Sequence, residues 1–226
     1  MRALPLVLTA VLLGSLTGCA QDASPKPAAA TSYHGVEPLK TVNRPSYVLR
    51  DTAGKAFDFR AETKGRPTFV YFGYTNCPDE CPTAMADIAA ALRKTTPEVR
   101  AAARVVFVTT DPKRDTAPVL RRWLDQFSTE FVGLLGTQAQ LDAAQRASGI
   151  EPGRAEGPVP TIPGRPDQHV HKEGTAPHKH FGPLGYSVSH SAVIFAYNAA
   201  DRLPVVYPGG VTPSDIAADL PVLARP

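Results

Sequence analysis

Two cysteines four residues apart are the side chains of this sequence best suited to chemistry. Cys77 and Cys81 lie in YFGYTNCPDECPTAM, residues 71–85, with three residues between them where a thioredoxin-type motif has two. An apolar run precedes them, and a helix is predicted over 78–94, because apolar residues recur there at steps of three and four. The prolines at 78 and 82 are compatible with its first turn. Thiols at i and i+4 of a helix point the same way. The pair can therefore form a structural disulfide, exchange thiols or hold a soft metal ion.

Metal binding explains this pair better than a structural disulfide does. A disulfide across so short a loop contributes only about 2 kcal/mol. The neighbouring Asp79 and Glu80 disfavour further negative charge but suit a bound cation. Two thiolates form a soft site that selects Cu(I) or zinc. Spacing alone does not decide the matter, and redox exchange without metal stays open as an alternative.

A third metal ligand is available at His190, in GYSVSHSAVIFAY. This histidine comes directly before a predicted strand at 191–197. In a thioredoxin-like fold the loop entering that strand faces the cysteine pair and ordinarily carries a proline, whereas here a histidine stands in its place. Two thiolates and one imidazole make a trigonal site for Cu(I), and the imidazole helps the site to accept Cu(II).

The elements that must position these residues are predicted to alternate between strand and helix. Apolar and β-branched runs predict strands, and apolar residues at steps of three and four predict helices. The predicted order is a hairpin at 46–59, strand 67–74, helix 78–94, strand 104–110, a helix around 119–127, strand 131–136, helix 137–147, strands 191–197 and 203–207 as an antiparallel hairpin, and helix 213–223. Such alternation implies right-handed crossovers and a largely parallel sheet. We therefore expect an α/β, thioredoxin-like fold with an N-terminal β-hairpin extension and a long loop or hairpin insertion, 151–185, before the last β-hairpin.

The N-terminus is typical of an exported lipoprotein. Residues 1–18 combine one arginine with a short apolar run and are predicted to be a lipoprotein signal peptide. The motif Leu-Thr-Gly-Cys ends at Cys19, which is the expected site of lipidation. Residues 19–45 are predicted to be a flexible linker, because they are rich in alanine, proline and serine, and 46–226 the folded domain. We expect a bacterial protein anchored to the cytoplasmic membrane by lipid, with its domain on the extracytoplasmic side.

Three segments resemble the signatures of the Sco/SenC/PrrC family of membrane-tethered copper chaperones for cytochrome c oxidase assembly. They are FGYTNCPDECPTAM, TTDPKRDT (109–116) and VSHSAVIF (188–195), in the order of that family. The resemblance implies a thioredoxin-like fold with Cys77, Cys81 and His190 as copper ligands. It implies the copper domain of oxidase subunit II as partner, whose cysteines such proteins can also reduce. A separate copper donor protein is a further expected partner.

Two further groups of residues are candidates for supporting roles. Asp111, Arg114 and Asp115, in the second signature, are predicted to support the motif or to dock a partner, and Asp115 or Thr116 could cap the next helix. Four histidines in the 151–185 segment form His-x-His pairs that can bind copper or zinc, against a simpler interpretation as a solvated polar loop. These accessory candidates are His169, His171, His178 and His180.

Composition excludes some classes of function and leaves others open. A net charge of +3, without a cluster of basic residues, gives no reason to expect nucleic-acid binding. A peroxiredoxin is disfavoured, because Thr75 precedes Cys77 by only two positions. A thiol-disulfide oxidoreductase or redox sensor using Cys77 and Cys81 remains the rival of a copper chaperone. No enzymatic activity is assigned beyond that thiol chemistry.

Overall fold

A computed structural model of the chain describes residues 33–156 and 186–225. In these ranges the strands are β1 (Val48–Asp51), β2 (Ala56–Asp58), β3 (Thr68–Gly73), β4 (Arg104–Thr109), β5 (Val132–Leu135), β6 (Ala155–Glu156), β7 (Ser187–Val188), β8 (Ile194–Tyr197) and β9 (Val205–Tyr207). The helices are α1 (Phe59–Thr63), α2 (Glu80–Arg93), α3 (Pro97–Ala102), α4 (Ala117–Leu124), α5 (Gln138–Ala147) and α6 (Pro213–Leu223). Among them, no helix has the length and apolar character that crossing a membrane requires.

Seven of these strands form one mixed sheet in the order β2-β1-β5-β4-β3-β8-β9. Its centre is parallel, since β3 pairs with β4 and β4 with β5. The β1–β2 hairpin joins β5 at one edge, and the β8–β9 hairpin joins β3 at the other, both antiparallel. The predicted N-terminal hairpin, parallel centre and last antiparallel hairpin are therefore confirmed.

The core lies on both faces of this sheet because successive strand residues point to opposite sides. On one face Phe69 and Tyr71 of β3 pack with residues of α2, α4 and α6. On the other face Val70 and Phe72 pack with Phe59 and with residues of α5. Strand β3 is buried along its whole length, as its continuous apolar sequence predicted.

Several element boundaries were predicted incorrectly. The sequence predicts that the first hairpin runs to residue 59, but helix α1 begins at Phe59. The Asp58 carboxylate caps this helix by accepting a hydrogen bond from Ala61 N. Helix α3 was missed, although Thr96 followed by Pro97 is a common start signal, and the Thr96 side chain caps it. Strand β8 begins at Ile194, three residues later than predicted.

The boundary between linker and domain at residue 45 is also wrong. Val36 forms a β-bridge with Val206, and Asn43 forms one with Arg202. Arg44 is fully buried, and its Nε lies 2.9 Å from Asp201 Oδ1. Residues 36–45 therefore belong to the folded unit, because two β-bridges and a buried guanidinium with its partners fix this part of the backbone. The predicted signal peptide, Cys19 and the early part of the predicted linker lie outside the described residues.

Candidate metal centre

Cys77, Cys81 and His190 come together in the folded chain. The Nε2 atom of His190 lies 3.6 Å from Cys81 Sγ and 3.9 Å from Cys77 Sγ. The three donor atoms all lie within 4.8 Å of one another, and the three residues are buried. More than a hundred residues of chain separate the histidine from the cysteines, so the fold alone creates this cluster.

The two cysteines are positioned by the connection from β3 to α2. Cys77 lies before the helix, which begins at Glu80 rather than at the predicted Pro78, and Cys81 lies in its first turn. We expected the two thiols to share a helix face, and this expectation is wrong because Cys77 lies outside the helix. Instead, the backbone N–H of Cys81 donates to Cys77 Sγ over 3.4 Å. This N–H is one of the donors that a first helical turn leaves without a helical partner.

Gly73, the last residue of β3, makes room for the second thiol. A Cβ atom at this position would lie 2.7 Å from Cys81 Sγ and 2.8 Å from the ring of Tyr71. Both distances are shorter than real carbon contacts allow. A glycine is therefore required here for the helix to bring Cys81 against the end of the sheet.

His190 is held in the segment between β7 and β8 by aromatic rings. Its ring centroid lies 6.0 Å from that of Tyr71 and 5.5 Å from that of Tyr74, both in edge-on geometry. The side chain is 7 % exposed. Its Nδ1 is buried with no hydrogen-bond partner among the described residues, while Nε2 faces the sulfur atoms. The imidazole thus presents one nitrogen to the position where the two thiols meet.

The two thiols are held in different protonation states. A hydrogen bond from the Cys81 thiol, together with contacts to His190 and to backbone N–H groups, lowers the pKa of Cys77 to about 4 despite burial. Burial, followed by the neighbouring Cys77, raises the pKa of Cys81 well above its ordinary value. Near neutral pH the pair is therefore a thiolate hydrogen-bonded by a thiol.

This donor set fits a soft, low-coordinate metal ion. Two sulfur atoms and one imidazole nitrogen are the ligands that select Cu(I) or zinc among the common metals. The site is enclosed by aromatic rings, and all three donors are buried, which excludes the carboxylate- and water-rich shells of magnesium or calcium. The residues present therefore fit a copper ion.

Asp115, from the second signature, supports the cysteine loop. Its carboxylate accepts hydrogen bonds from Thr75 N at 3.1 Å, Thr75 Oγ1 at 2.6 Å and Thr109 Oγ1 at 2.6 Å. It is 1 % exposed, and this burial raises its pKa. The predicted capping of the next helix is wrong: Thr116 occupies the N-cap of α4 without a side-chain hydrogen bond, and Asp115 is used elsewhere.

Asp111 and Arg114 connect that loop to the segment that carries His190. The Arg114 guanidinium forms an ion pair with Asp111 and donates to the backbone carbonyl of Tyr186 over 3.0 Å. It lies 3.6 Å from the centre of the Tyr186 ring, whose hydroxyl donates to Asp111 Oδ1 over 2.9 Å. The sequence analysis did not identify Tyr186 as a functional residue, and its signal in the sequence is an aromatic residue four positions before His190. Motif support is thus what these residues do within the chain, and partner docking stays a prediction.

The remaining predicted site residues are not part of this cluster. Cys19 and the four histidines at 169, 171, 178 and 180 lie outside the described residues. Their roles in lipidation and accessory metal binding stay predictions.

Comparison with protein families finds a match to the SCO1/SenC family over residues 37–159. A SCO2-like protein of Rickettsia felis is 40 % identical over 98 residues, which cover 42 % of this chain and 45 % of that protein. The chain thus spans about half the length of the curated relatives it matches.

Solved structures agree with the fold. Copper-bound ScoI from Bradyrhizobium japonicum matches with a TM-score of 0.60 at 27 % identity, covering 80 % of this chain and 99 % of that one. BsSco, described as a member of the Sco family of cytochrome c oxidase assembly proteins with a disulfide switch, matches with a TM-score of 0.55 at 17 % identity, covering 84 % and 98 %. The predicted thioredoxin-like fold is confirmed.

Proposed function

The chain belongs to the SCO1/SenC family, and on this premise we propose that it binds one copper ion through Cys77, Cys81 and His190 and delivers it to a cytochrome c oxidase. The observation that carries the proposal is the convergence of two sulfur atoms and one imidazole nitrogen within 4.8 Å. Copper is the cargo in this account, so the site must both hold the ion and release it. A site with three protein ligands leaves room for an incoming ligand from the acceptor.

The chain's own residues prepare the site for the ion. Cys77 is already a thiolate, so it offers a charged donor without losing a proton first. Cys81 gives up its proton when it becomes a ligand, because only thiolates bind such metals strongly. The edge-on rings of Tyr71 and Tyr74 hold the imidazole of His190 with Nε2 towards the two sulfur atoms.

Anaerobic Cu(I) titration of the full chain tests the binding step. We expect one tightly held copper, with His190→Ala weakening it and Cys77→Ser abolishing it. His34→Ala is the matched control, since His34 pairs with Asp219 away from the cluster. A fourth variant, with alanine at positions 169, 171, 178 and 180, separates binding by those histidines from binding at the centre. Equal affinity in the wild type, His190→Ala and Cys77→Ser would refute the assignment.

The proposed acceptor is the binuclear copper domain of oxidase subunit II, as the family resemblance implies. Mixing the copper-loaded chain with the metal-free acceptor domain should move copper from one protein to the other. After the two proteins are separated, metal analysis measures the ratio of copper to protein in each of them. A chain that binds copper but transfers none to this domain would exclude delivery while leaving the metal site intact.

Attachment to the membrane is part of the same proposal. It rests on the export signal predicted for residues 1–18 and on the position of Cys19 directly after Leu-Thr-Gly. Two acyl chains at Cys19 would hold the domain on the extracytoplasmic side of the bacterial cytoplasmic membrane. Labelled fatty acid should be incorporated into the wild type and not into Cys19→Ser. Labelling that persists in this variant would contradict the site.

The split protonation of the cysteines favours a second candidate function, reduction of a partner's disulfide. The Cys77 thiolate would attack one sulfur of that disulfide and release the other as a thiolate. Cys81, after losing its proton, would then attack Cys77, leaving a Cys77–Cys81 disulfide and a reduced partner. Two electrons pass from the pair to the partner. Because both cysteines are buried, this reaction requires the site to open. We expect Cys81→Ser to trap the mixed disulfide between Cys77 and the partner.

A further inference from the structure

A cleft of about 430 Å³ lies at the opposite end of the parallel strands from the metal centre. It is formed by the end of α2, helix α3, the start of β4 and residues 127–131 after α4. Strands β3 and β4 are parallel, with Thr68 opposite Arg104, and the cysteine loop follows the other end of β3. The cleft is therefore separate from the copper ligands, and its volume falls in the range typical of small-molecule sites.

The inner walls of the cleft are apolar. Leu92 of α2 and Val105 of β4 are buried, as is Phe131, while Phe127 is half-buried. Aliphatic and aromatic walls of this kind favour the apolar part of a ligand, because they remove it from water.

The rim of the cleft carries unbalanced positive charge. Arg93, Arg100 and Arg104 line it together with a single carboxylate, that of Glu130. None of the three guanidinium groups forms an ion pair with any residue that the structure describes. The rim therefore has three positive charges against one negative charge, an imbalance that favours a bound anion.

A fourth guanidinium stands behind this rim and holds its wall in place. Arg66 donates from Nε to the carbonyl of Ala102 at 2.8 Å and from a terminal nitrogen to that of Ala101 at 2.5 Å. These bonds satisfy the carbonyls at the end of α3, which presents Arg100 to the cleft. Burial and the nearby Arg104 both lower the pKa of Arg66, as expected where cations are crowded.

We propose that this arginine cleft binds a small amphipathic anion, a phosphate group on an apolar stem. The phosphate lies among Arg93, Arg100 and Arg104, which can each offer paired N–H donors to its oxygen atoms. The stem lies against the leucine, valine and phenylalanine walls. A phosphate matches the three guanidinium groups better than a carboxylate, because it carries more charge and more acceptor oxygens.

The sole tryptophan of the chain provides a direct readout. Trp123 packs edge-on against Phe127, with ring centroids 5.0 Å apart, and Phe127 lines the cleft. Titration of the full chain with hexyl phosphate should change the Trp123 fluorescence with saturation. Inorganic phosphate should bind more weakly because it lacks the stem, and hexanol more weakly because it lacks the charge.

Substitutions then test the assignment to these residues. Arg100→Gln and Arg104→Gln should each weaken hexyl phosphate by about tenfold, the usual effect of losing a charge-assisted hydrogen bond. Glu130→Gln should strengthen it. Arg60→Gln, at an exposed position on α1, is the matched control and should change nothing. Equal binding by the wild type and the Arg93, Arg100 and Arg104 triple Gln variant would overturn the proposal, as would the absence of saturable binding.

Two sources could supply such a ligand, a free organic phosphate or the headgroup of an anionic phospholipid. The full chain is placed in vesicles of phosphatidylcholine, alone or with phosphatidylglycerol. A Trp123 response to phosphatidylglycerol that the triple variant loses would assign the cleft to lipid. An equal response in both proteins, together with hexyl phosphate binding, would assign it to a soluble phosphate.

Discussion

The pH dependence of Cu(I) affinity follows directly from the unequal thiols of the metal centre. Because the pKa of Cys77 is about 4, this residue is a thiolate throughout the neutral range. Cys81 keeps its proton there, since its pKa is raised well above the ordinary value. Binding through both sulfur atoms thus releases one proton and not two. Between pH 7.5 and 8.5 the affinity should rise about tenfold, or about 1.4 kcal/mol, per pH unit.

Anaerobic competition with a chromophoric Cu(I) chelator measures this slope. Cys81→Ser provides the decisive comparison. Its hydroxyl can still donate a hydrogen bond to Cys77, so the remaining thiol stays ionised and the affinity, although lower, should become independent of pH.

Two outcomes would refute this reasoning. A hundredfold rise per pH unit in the wild type would mean that Cys77 is protonated in the metal-free chain. An affinity independent of pH would mean that Cys81 is already ionised or is not a ligand.

Three further predictions concern residues around the site and at the N-terminal segment. Gly73→Ala should lower the free energy of unfolding by about 1–3 kcal/mol in urea titrations and weaken copper binding, because its Cβ would overlap Cys81 Sγ; unchanged stability would contradict the close contact. Asp115→Asn should cost about 1–3 kcal/mol, since a buried acceptor of several hydrogen bonds becomes partly a donor, and an unaltered denaturation midpoint would count against its supporting role. The protonated imidazole of His34 donates a hydrogen bond to the Asp219 carboxylate, and this bond, reinforced by the charge of Asp219, raises the pKa of His34. The ion pair is therefore present below the raised pKa and is lost as pH rises through it. In NMR titrations Asp219→Asn should return that pKa towards about 6.5, and an identical titration in the variant would exclude the pairing.

The fold was largely predictable from local patterns in the chain. The continuous apolar run of β3 and the capping pair Thr137 and Gln140 correctly indicated a buried strand and a helix start. Short elements were harder, because α3 buries none of its residues and so shows no apolar periodicity. The burial of Arg44 could not be predicted for a different reason. A lone arginine in a proline- and polar-rich stretch indicates a solvent-exposed side chain, and only partners distant in sequence make Arg44 part of the core.

The site was predictable in its members but not in its geometry. Spacing suggested that Cys77 and Cys81 share a helix face, whereas the helix begins after Cys77 and leaves that thiol to accept a hydrogen bond from the first turn. The contacts that join Arg114 to Tyr186 could not be inferred either. The segments that carry these residues are 72 positions apart, and no local rule relates them.

By itself, the sequence determined which chemistry was available: a pair of thiols after a buried strand and a histidine before another strand. These features depend on residue types and on their positions relative to neighbours in the sequence, and interactions between nearby residues determine them. Only the tertiary structure decided that His190 Nε2 meets both sulfur atoms, that one thiol is ionised and the other is not, and that three arginines from separate elements surround one cleft. The physical reason is that distance, burial and electrostatic field depend on which surfaces of the chain pack together.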